Sequence, residues 1–307
     1  MPVALFTHPA CLGHDTGPYH PECPDRLRRV LQALEHPDFI PLLREQAPEA
    51  SKAQLQRVHP PDYIEAILAA EGQDVQIDAD TVMSPGSVRA ALRAAGGAAA
   101  GVDAVMEGWA DAAFVATRPP GHHAERGRAM GFCLFANASV AALHARERWG
   151  LRRIAIVDFD VHHGNGTQHI FETDAELFYA SSHQWPCYPG TGAPQERGVA
   201  DNVVNLTLRP GSGSEEFRAA WEQKGLPALE AFAPELLIVS AGFDAHRADP
   251  LAELRLQTED FGWITDQLLA VADRHCGGKL VSVLEGGYHL EALAVSAALH
   301  VRRLMRQ

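Results

Sequence analysis

Seven short apolar runs recur along the chain: "VALFT", "AAFVAT", "RIAIVDF", "ELFYAS", "NVVNLTL", "ELLIVSAG" and "KLVSVLEG". Each has the length of a strand buried on both faces, which reads as a continuous hydrophobic stretch rather than an alternation. Between several of them lie segments with helical spacing. Residues 85–106 are alanine-rich, and 137–149, 214–232, 258–275 and 290–305 are amphipathic. Thr258, followed by Glu259 and Asp260, reads as an N-cap with an acidic first turn. Strands alternating with helices predict an α/β fold, with a parallel sheet between helical layers. There is no fixed-period repeat, low-complexity linker or composition break. The 307 residues therefore read as one domain, 1–307.

The polar residues sharpen this picture. "AAFVAT" runs into "RPPGHH", "RIAIVDF" into "DVHHGNG", "ELFYAS" into "SHQW", "ELLIVSAG" into "FDAHRAD", and "KLVSVLEG" into "GYHL". Five predicted strands thus carry chemistry just past their C-terminal ends. Ligands of open α/β sheets bind at that edge, so five loops distant in sequence should meet at one pocket.

Composition excludes several function classes. The chain is 46% hydrophobic and 21% charged, enough apolar residue for a sizeable core. A net charge of −13 argues against a nucleic-acid surface and is compatible with a cationic substrate. The five cysteines, Cys11, Cys23, Cys133, Cys187 and Cys276, form no CxxC pair. That pattern predicts a reducing, cytoplasmic setting and no thiolate zinc site. The N-terminal "MPVALFTHPA" lacks the pattern of a signal peptide, and no apolar run has membrane-spanning length.

Within "VDFDVHHGNG", Asp160 and His162 stand two apart just past a strand, where extended backbone points them to one side. Asp244 in "GFDAH" adds a third donor from another strand end. Two carboxylates and one imidazole form an open site for zinc, with Fe(II), Co(II) and Mn(II) also compatible. The adjacent His122 and His123 suit proton transfer, the alternative being a structural pair. Asp158 is expected to orient one imidazole. Asn165 either orients the other or is an ordinary Asn-Gly turn residue. Gly286 and Gly287 permit unusual backbone angles before Tyr288, whose hydroxyl could serve a developing oxyanion or simply pack at a turn. Phe132 and Tyr188 could line an apolar channel or belong to the core, and Gly131 leaves room beside a substrate chain. Arg26 precedes a helical pattern and faces inward or caps a loop. His14 and His20 read as loop histidines rather than ligands, and His246 and Asp249 as loop-shaping residues. His163 has no evident task.

Together "RPPGHHA", "MGFCLFAN", "DFDVHHGNGTQ", "SAGFDAHRADPL" and "EGGYHLEAL" resemble the zinc-dependent histone deacetylase family. That family includes acetylpolyamine amidohydrolases and acetoin-utilisation proteins. "HPECPDRL" and Asn165 resemble its class II branch. The resemblance spans nearly the whole chain. It implies an arginase/deacetylase fold in three layers, with a largely parallel eight-stranded sheet flanked by helices. It also implies removal of an acetyl or other acyl group from an amine such as acetyl-lysine or an acetylpolyamine. The zinc ligands it implies are Asp160, His162 and Asp244. The catalytic residues are His122, His123, Asp158 and Tyr288, and the channel residues Gly131, Phe132, Tyr188 and Gly287. Structural potassium is implied at Asp158, Asp160, His162, Ser181 and Ser182, and at Phe171, Asp174, Leu177 and Asn202. Two departures stand out: the "SSHQWPCYPGTG" loop is short, with Tyr188 for the usual Phe, and Asn165 replaces the Asp of class I members.

Two rivals deserve a test. A binuclear manganese ureohydrolase would need acids where this chain has Gly164 and His246. A catalytically silent acyl-ligand binder would not need the full set of histidines, ligands and tyrosine. The sequence leaves the substrate and the oligomeric state open, a homo-oligomer included.

Overall fold

The structure, a computed structural model, describes residues 2–307. Its strands are β1 (Val3–Thr7), β2 (Leu43–Gln46), β3 (Val75–Gln76), β4 (Val82–Met83), β5 (Ala112–Val115), β6 (Ile154–Asp158), β7 (Leu177–Gln184), β8 (Val203–Leu208), β9 (Leu236–Ala241) and β10 (Leu280–Leu284). Its helices are α1 (Pro24–Ala33), α2 (Lys52–Gln56), α3 (Pro61–Leu68), α4 (Ser87–Glu107), α5 (Asn137–Trp149), α6 (Asn165–Phe171), α7 (Ser214–Ala220), α8 (Leu226–Phe232), α9 (Thr258–His275) and α10 (Leu290–Leu304).

Eight strands form one sheet in the order β2-β1-β5-β10-β9-β6-β7-β8, and every neighbouring pair is parallel. β3 and β4 form a separate antiparallel pair. The seven apolar runs all become sheet strands. The eighth, β2, is "LREQ", exposed along its whole length at the sheet edge, and so carries no hydrophobic signal.

Alternation within each strand divides the interior into two cores. Val3 and Leu5 face one, Ala4 and Phe6 the other. The same split separates Ala155 and Val157 from Ile154 and Ile156. Helices α1, α9 and α10 cover the first face through residues such as Leu27, Leu268 and Val301. Helices α4 and α5 cover the second through Ala95, Val102, Ala138 and Ala142.

Helices α5 and α9 have the expected bounds. Residues 214–232 are helical throughout, with the expected bounds, and a π turn at Trp221–Gly225 joins α7 to α8. Pro227, in the first turn of α8, has no N–H for the regular ladder, and the wider turn absorbs the gap. Gln257, not Thr258, is the N-cap of α9, and its N–H donates to Asp260 Oδ2 at 2.8 Å. "SHQ", expected past a strand, lies inside β7. No helix among the described residues is long and apolar enough to cross a membrane.

Candidate active site

The five strands whose ends carry the polar motifs are contiguous in the sheet, as β5-β10-β9-β6-β7. All run in one direction, so their C-terminal loops share an edge. The loop after β6 presents Asp160 and His162, and the loop after β9 presents Asp244. The three are buried, and one donor atom from each lies within 4.8 Å of the others. His162 Nδ1 is 3.2 Å from Asp160 Oδ1 and 3.1 Å from Asp244 Oδ2. Donors about 2 Å from a shared tetrahedral zinc stand roughly 3.3 Å apart, so the set fits that ion. Backbone amides fix the far oxygens: Val161 N donates to Asp244 Oδ1 and Gly286 N to Asp160 Oδ2, each at 2.8 Å. Burial and the Asp160 charge push Asp244 up to about 7. Two carboxylates crowded out of water in this way call for a cation.

The loop after β5 brings His122 and His123 beside the triad, with ring centroids 4.0 Å apart. His122 Nδ1 bonds Asp158 Oδ2 at 3.0 Å. Burial opposes charge on His122, but Asp160 and Asp158 outweigh it and raise this imidazole to about 10. His123 is held well below the ordinary histidine value by burial, His122 and His162. Its Nδ1 meets Asn165 Oδ1 at 2.9 Å. Asn165 is not a turn residue: it is the buried first residue of α6.

Two supports escaped the sequence reading. Tyr179 of β7 donates its hydroxyl to Asp158 Oδ2 at 3.0 Å and accepts Gly164 N–H at 3.0 Å. Glu285, buried after β10, accepts the N–H groups of Gly121 at 2.7 Å and His122 at 3.2 Å. The signal for Glu285 was present, as a carboxylate ending the apolar run "LVSVLEG". Tyr179 had none, because one aromatic inside a strand normally packs.

A cavity of about 200 Å³ lies over this arrangement, lined by Asp80, His123, Gly131, Phe132, His162, Tyr188, Leu251 and Tyr288. Phe132 and Tyr188 therefore face it rather than the core. Gly287 does not line it. At φ +123°, in the region that favours glycine, it turns the chain so that its carbonyl accepts Arg26 Nε at 2.5 Å. Arg26 lies inside the first turn of α1, not before a helix. It also bonds Glu285 O at 2.5 Å and Glu22 at 2.9 Å, and its guanidinium sits 4.8 Å from the Tyr288 ring centroid. Asp249 accepts the N–H of Tyr288 at 2.7 Å. Tyr288 is thus held by its backbone and its ring.

His163 joins Thr191 at 2.8 Å and Gln168 at 2.9 Å, tying down the loop that carries Tyr188. His14 bonds Ser87, and His20 bonds Asp80 O and packs on Phe132, so neither joins the triad.

Of the two potassium sets that the resemblance implies, the first, Asp158, Asp160, His162, Ser181 and Ser182, draws in part on backbone carbonyls, and Asp158 of β6 lies opposite Ser181 of β7. In the second, the Asn202 side chain rather than its carbonyl meets the other three members. Asn202 Nδ2 stands 2.9, 2.9 and 2.7 Å from the carbonyls of Phe171, Asp174 and Leu177. An amide nitrogen has two hydrogens, so it cannot satisfy all three carbonyls at once, and the position it takes is where a cation among them would sit.

Residues 20–304 match the Histone deacetylase domain family. The chain is 40% identical over 310 residues to a histone deacetylase-like amidohydrolase of Pseudomonas aeruginosa, covering 93% of this chain and 81% of that one. It is 38% identical to the polyamine deacetylase HDAC10 of Mus musculus, over 92% of this chain and 45% of that protein. The crystal structure of the HDA15 HD domain superposes with a TM-score of 0.94 at 37% identity, over 99% of this chain and 88% of the other. The buried Asp-His-Asp site thus sits in a chain that belongs to the histone deacetylase family, as one of its amidohydrolases.

Proposed function

We propose that this site hydrolyses the amide of an acylated amine, such as acetyl-lysine or an acetylpolyamine, releasing acetate or a longer acid and the free amine. One observation carries the reading: His123, His162 and Tyr288 line a single narrow cavity walled by Phe132 and Tyr188. In this reading the acyl-amine stem lies along the aromatic walls with its carbonyl toward the triad.

Asp160, His162 and Asp244 would hold zinc, which when bound supplies Lewis-acid polarisation and a water of lowered pKa. In this reading His123 carries its proton on Nδ1, toward Asn165 Oδ1 at 2.9 Å. Its Nε2 is therefore free to take a proton from the attacking water and pass it to the leaving amine. His122, charged and paired with Asp158, orients that region without acting as the base. The Tyr288 hydroxyl donates to the oxyanion. Potassium would occupy the set at Asp158, Asp160, His162, Ser181 and Ser182 and, with the Asn202 amide displaced, the carbonyls of Phe171, Asp174 and Leu177.

The net charge of −13 and the carboxylate of Asp80 at the cavity favour a cationic amine. HDAC10 of Mus musculus is named a polyamine deacetylase, which supports testing that class. We read residues 1–307 as a single deacetylase domain of a cytoplasmic protein. The binuclear alternative is disfavoured sterically, since even a Cβ at Gly164 would lie 2.5 Å from the Tyr179 hydroxyl and 2.6 Å from Asp158 Oδ2.

The test is a kinetic panel of an acetyl-lysine peptide, acetylputrescine and longer acyl-lysines, with metal counted per chain. Turnover of at least one substrate with one transition metal per chain is expected. Two metals would favour the ureohydrolase. Binding without turnover would favour a silent binder.

A further inference from the structure

Asn165 is an amide, and an amide has two ends. With its oxygen toward His123 it accepts a hydrogen bond; turned over, it offers a donor. The two orientations demand opposite tautomers of His123, and only Nδ1–H leaves a lone pair on Nε2. Something must select the orientation.

Asn165 Oδ1 lies 2.9 Å from His123 Nδ1, and Asn165 Nδ2 donates to Glu125 Oε1 at 2.8 Å. Its other neighbours are weak, His123 O and Met130 Sδ, each at 3.4 Å. A carboxylate only accepts. Turning the amide over would set two oxygens 2.8 Å apart, one of them charged. The main chain of Glu125 is held in a tight turn, where its N–H donates to Arg128 O at 3.0 Å, and the other oxygen of its carboxylate lies 3.7 Å from His169 Nδ1. The Glu125 side chain is 28% exposed and lines a surface cavity of about 300 Å³ with Gln168, His169 and Glu172, separate from the substrate cavity.

We propose that Glu125 is a positioning residue that locks the amide of Asn165 and, through it, the Nδ1–H tautomer of His123. It touches neither substrate nor metal ligands. The inference rests on His123 being the base. It has a corollary in the sequence: asparagine at 165 and glutamate at 125 are matched, and an aspartate at 165 would face the Glu125 carboxylate at hydrogen-bond distance.

The experiment is a variant set assayed on the best acyl-amine substrate with metal content matched, together with ¹⁵N-histidine NMR of the metal-loaded protein. Glu125→Ala should lower kcat by about tenfold with little change in KM and should mix the His123 tautomers. Glu125→Gln keeps an accepting oxygen and should retain most activity. Asn165→Asp alone should lose activity, and adding Glu125→Gln should recover part of it, a non-additive cycle. The proposal is overturned by wild-type kcat and an unmixed His123 spectrum in Glu125→Ala, or by strict additivity of the Asn165→Asp and Glu125→Gln effects. If the wild type turns over no acyl amine, the functional reading fails instead, and the spectrum still decides the tautomer.

Discussion

Tyr288 shows how individual residues divide the work. Its main-chain N–H is held by Asp249, and its ring lies against Arg26 and Phe132. The hydroxyl can therefore be removed without disturbing the backbone. Tyr288→Phe should keep stoichiometric metal while kcat falls on the order of a hundred- to thousandfold, the usual cost of one oxyanion donor. Near-normal turnover would remove Tyr288 from the chemistry. The sequence made Tyr288 visible because two glycines and a tyrosine after an apolar run are unusual. It hid Glu22, Arg118 and Tyr179. Glu22 and Arg118 form a fully buried ion pair at 2.5 Å across 96 residues, and no local pattern reports a contact of that span. The sequence already set His162 apart as a ligand, and the structure adds what it left blank, the contacts of His163 with Thr191 and Gln168.

At the scale of elements, α10 is tied to its neighbours by a buried histidine. His300 bonds Thr265 of α9 at 2.6 Å and Ser282 of β10 at 2.8 Å. Burial pushes it down to about 3, against 6.5 for a free histidine. The folded state thus binds fewer protons than the unfolded one. Its contribution to stability is complete above about pH 6.5 and is lost as pH falls toward 3. At pH 4.5 the loss is about 3 kcal/mol. His300→Gln should flatten the acid limb of a urea-denaturation series between pH 7 and 4.5, and an unchanged slope would refute this. Between α6 and β8, the Asn202 amide takes the place of a cation among the carbonyls of Phe171, Asp174 and Leu177. Asn202→Ala would open that cradle. Its melting temperature should then rise more than the wild type's when choline is replaced by potassium, and equal responses would show that the amide fills nothing. Apolar runs revealed seven strands, whereas β2 pairs along its backbone at an exposed edge and leaves no trace in side-chain chemistry.

For the whole molecule, the sheet order decides the function. Parallel strands from distant parts of the chain bring five loops to one edge, and a buried cluster of carboxylates forms there. Metal binding should consequently stabilise the entire domain, since the folded site alone gathers the ligands. A strong chelator should lower the melting temperature by several degrees, and added zinc should restore it. Asp244→Ala should show no chelator effect; a shift of wild-type size there would place the stabilising ion elsewhere. The sequence by itself determined the α/β class, seven of the ten strands, the longest helices, the metal triad and the histidine pair, because burial periodicity and clustered donor residues are local signals. Only the tertiary structure decided the strand order, the amide of Asn202 in the potassium cradle, the turn built on Gly287 and Arg26, and the line from His123 through Asn165 to Glu125. Those features depend on distances between groups tens to hundreds of residues apart and on which end of an amide faces which neighbour, and neither is written in the order of the residues.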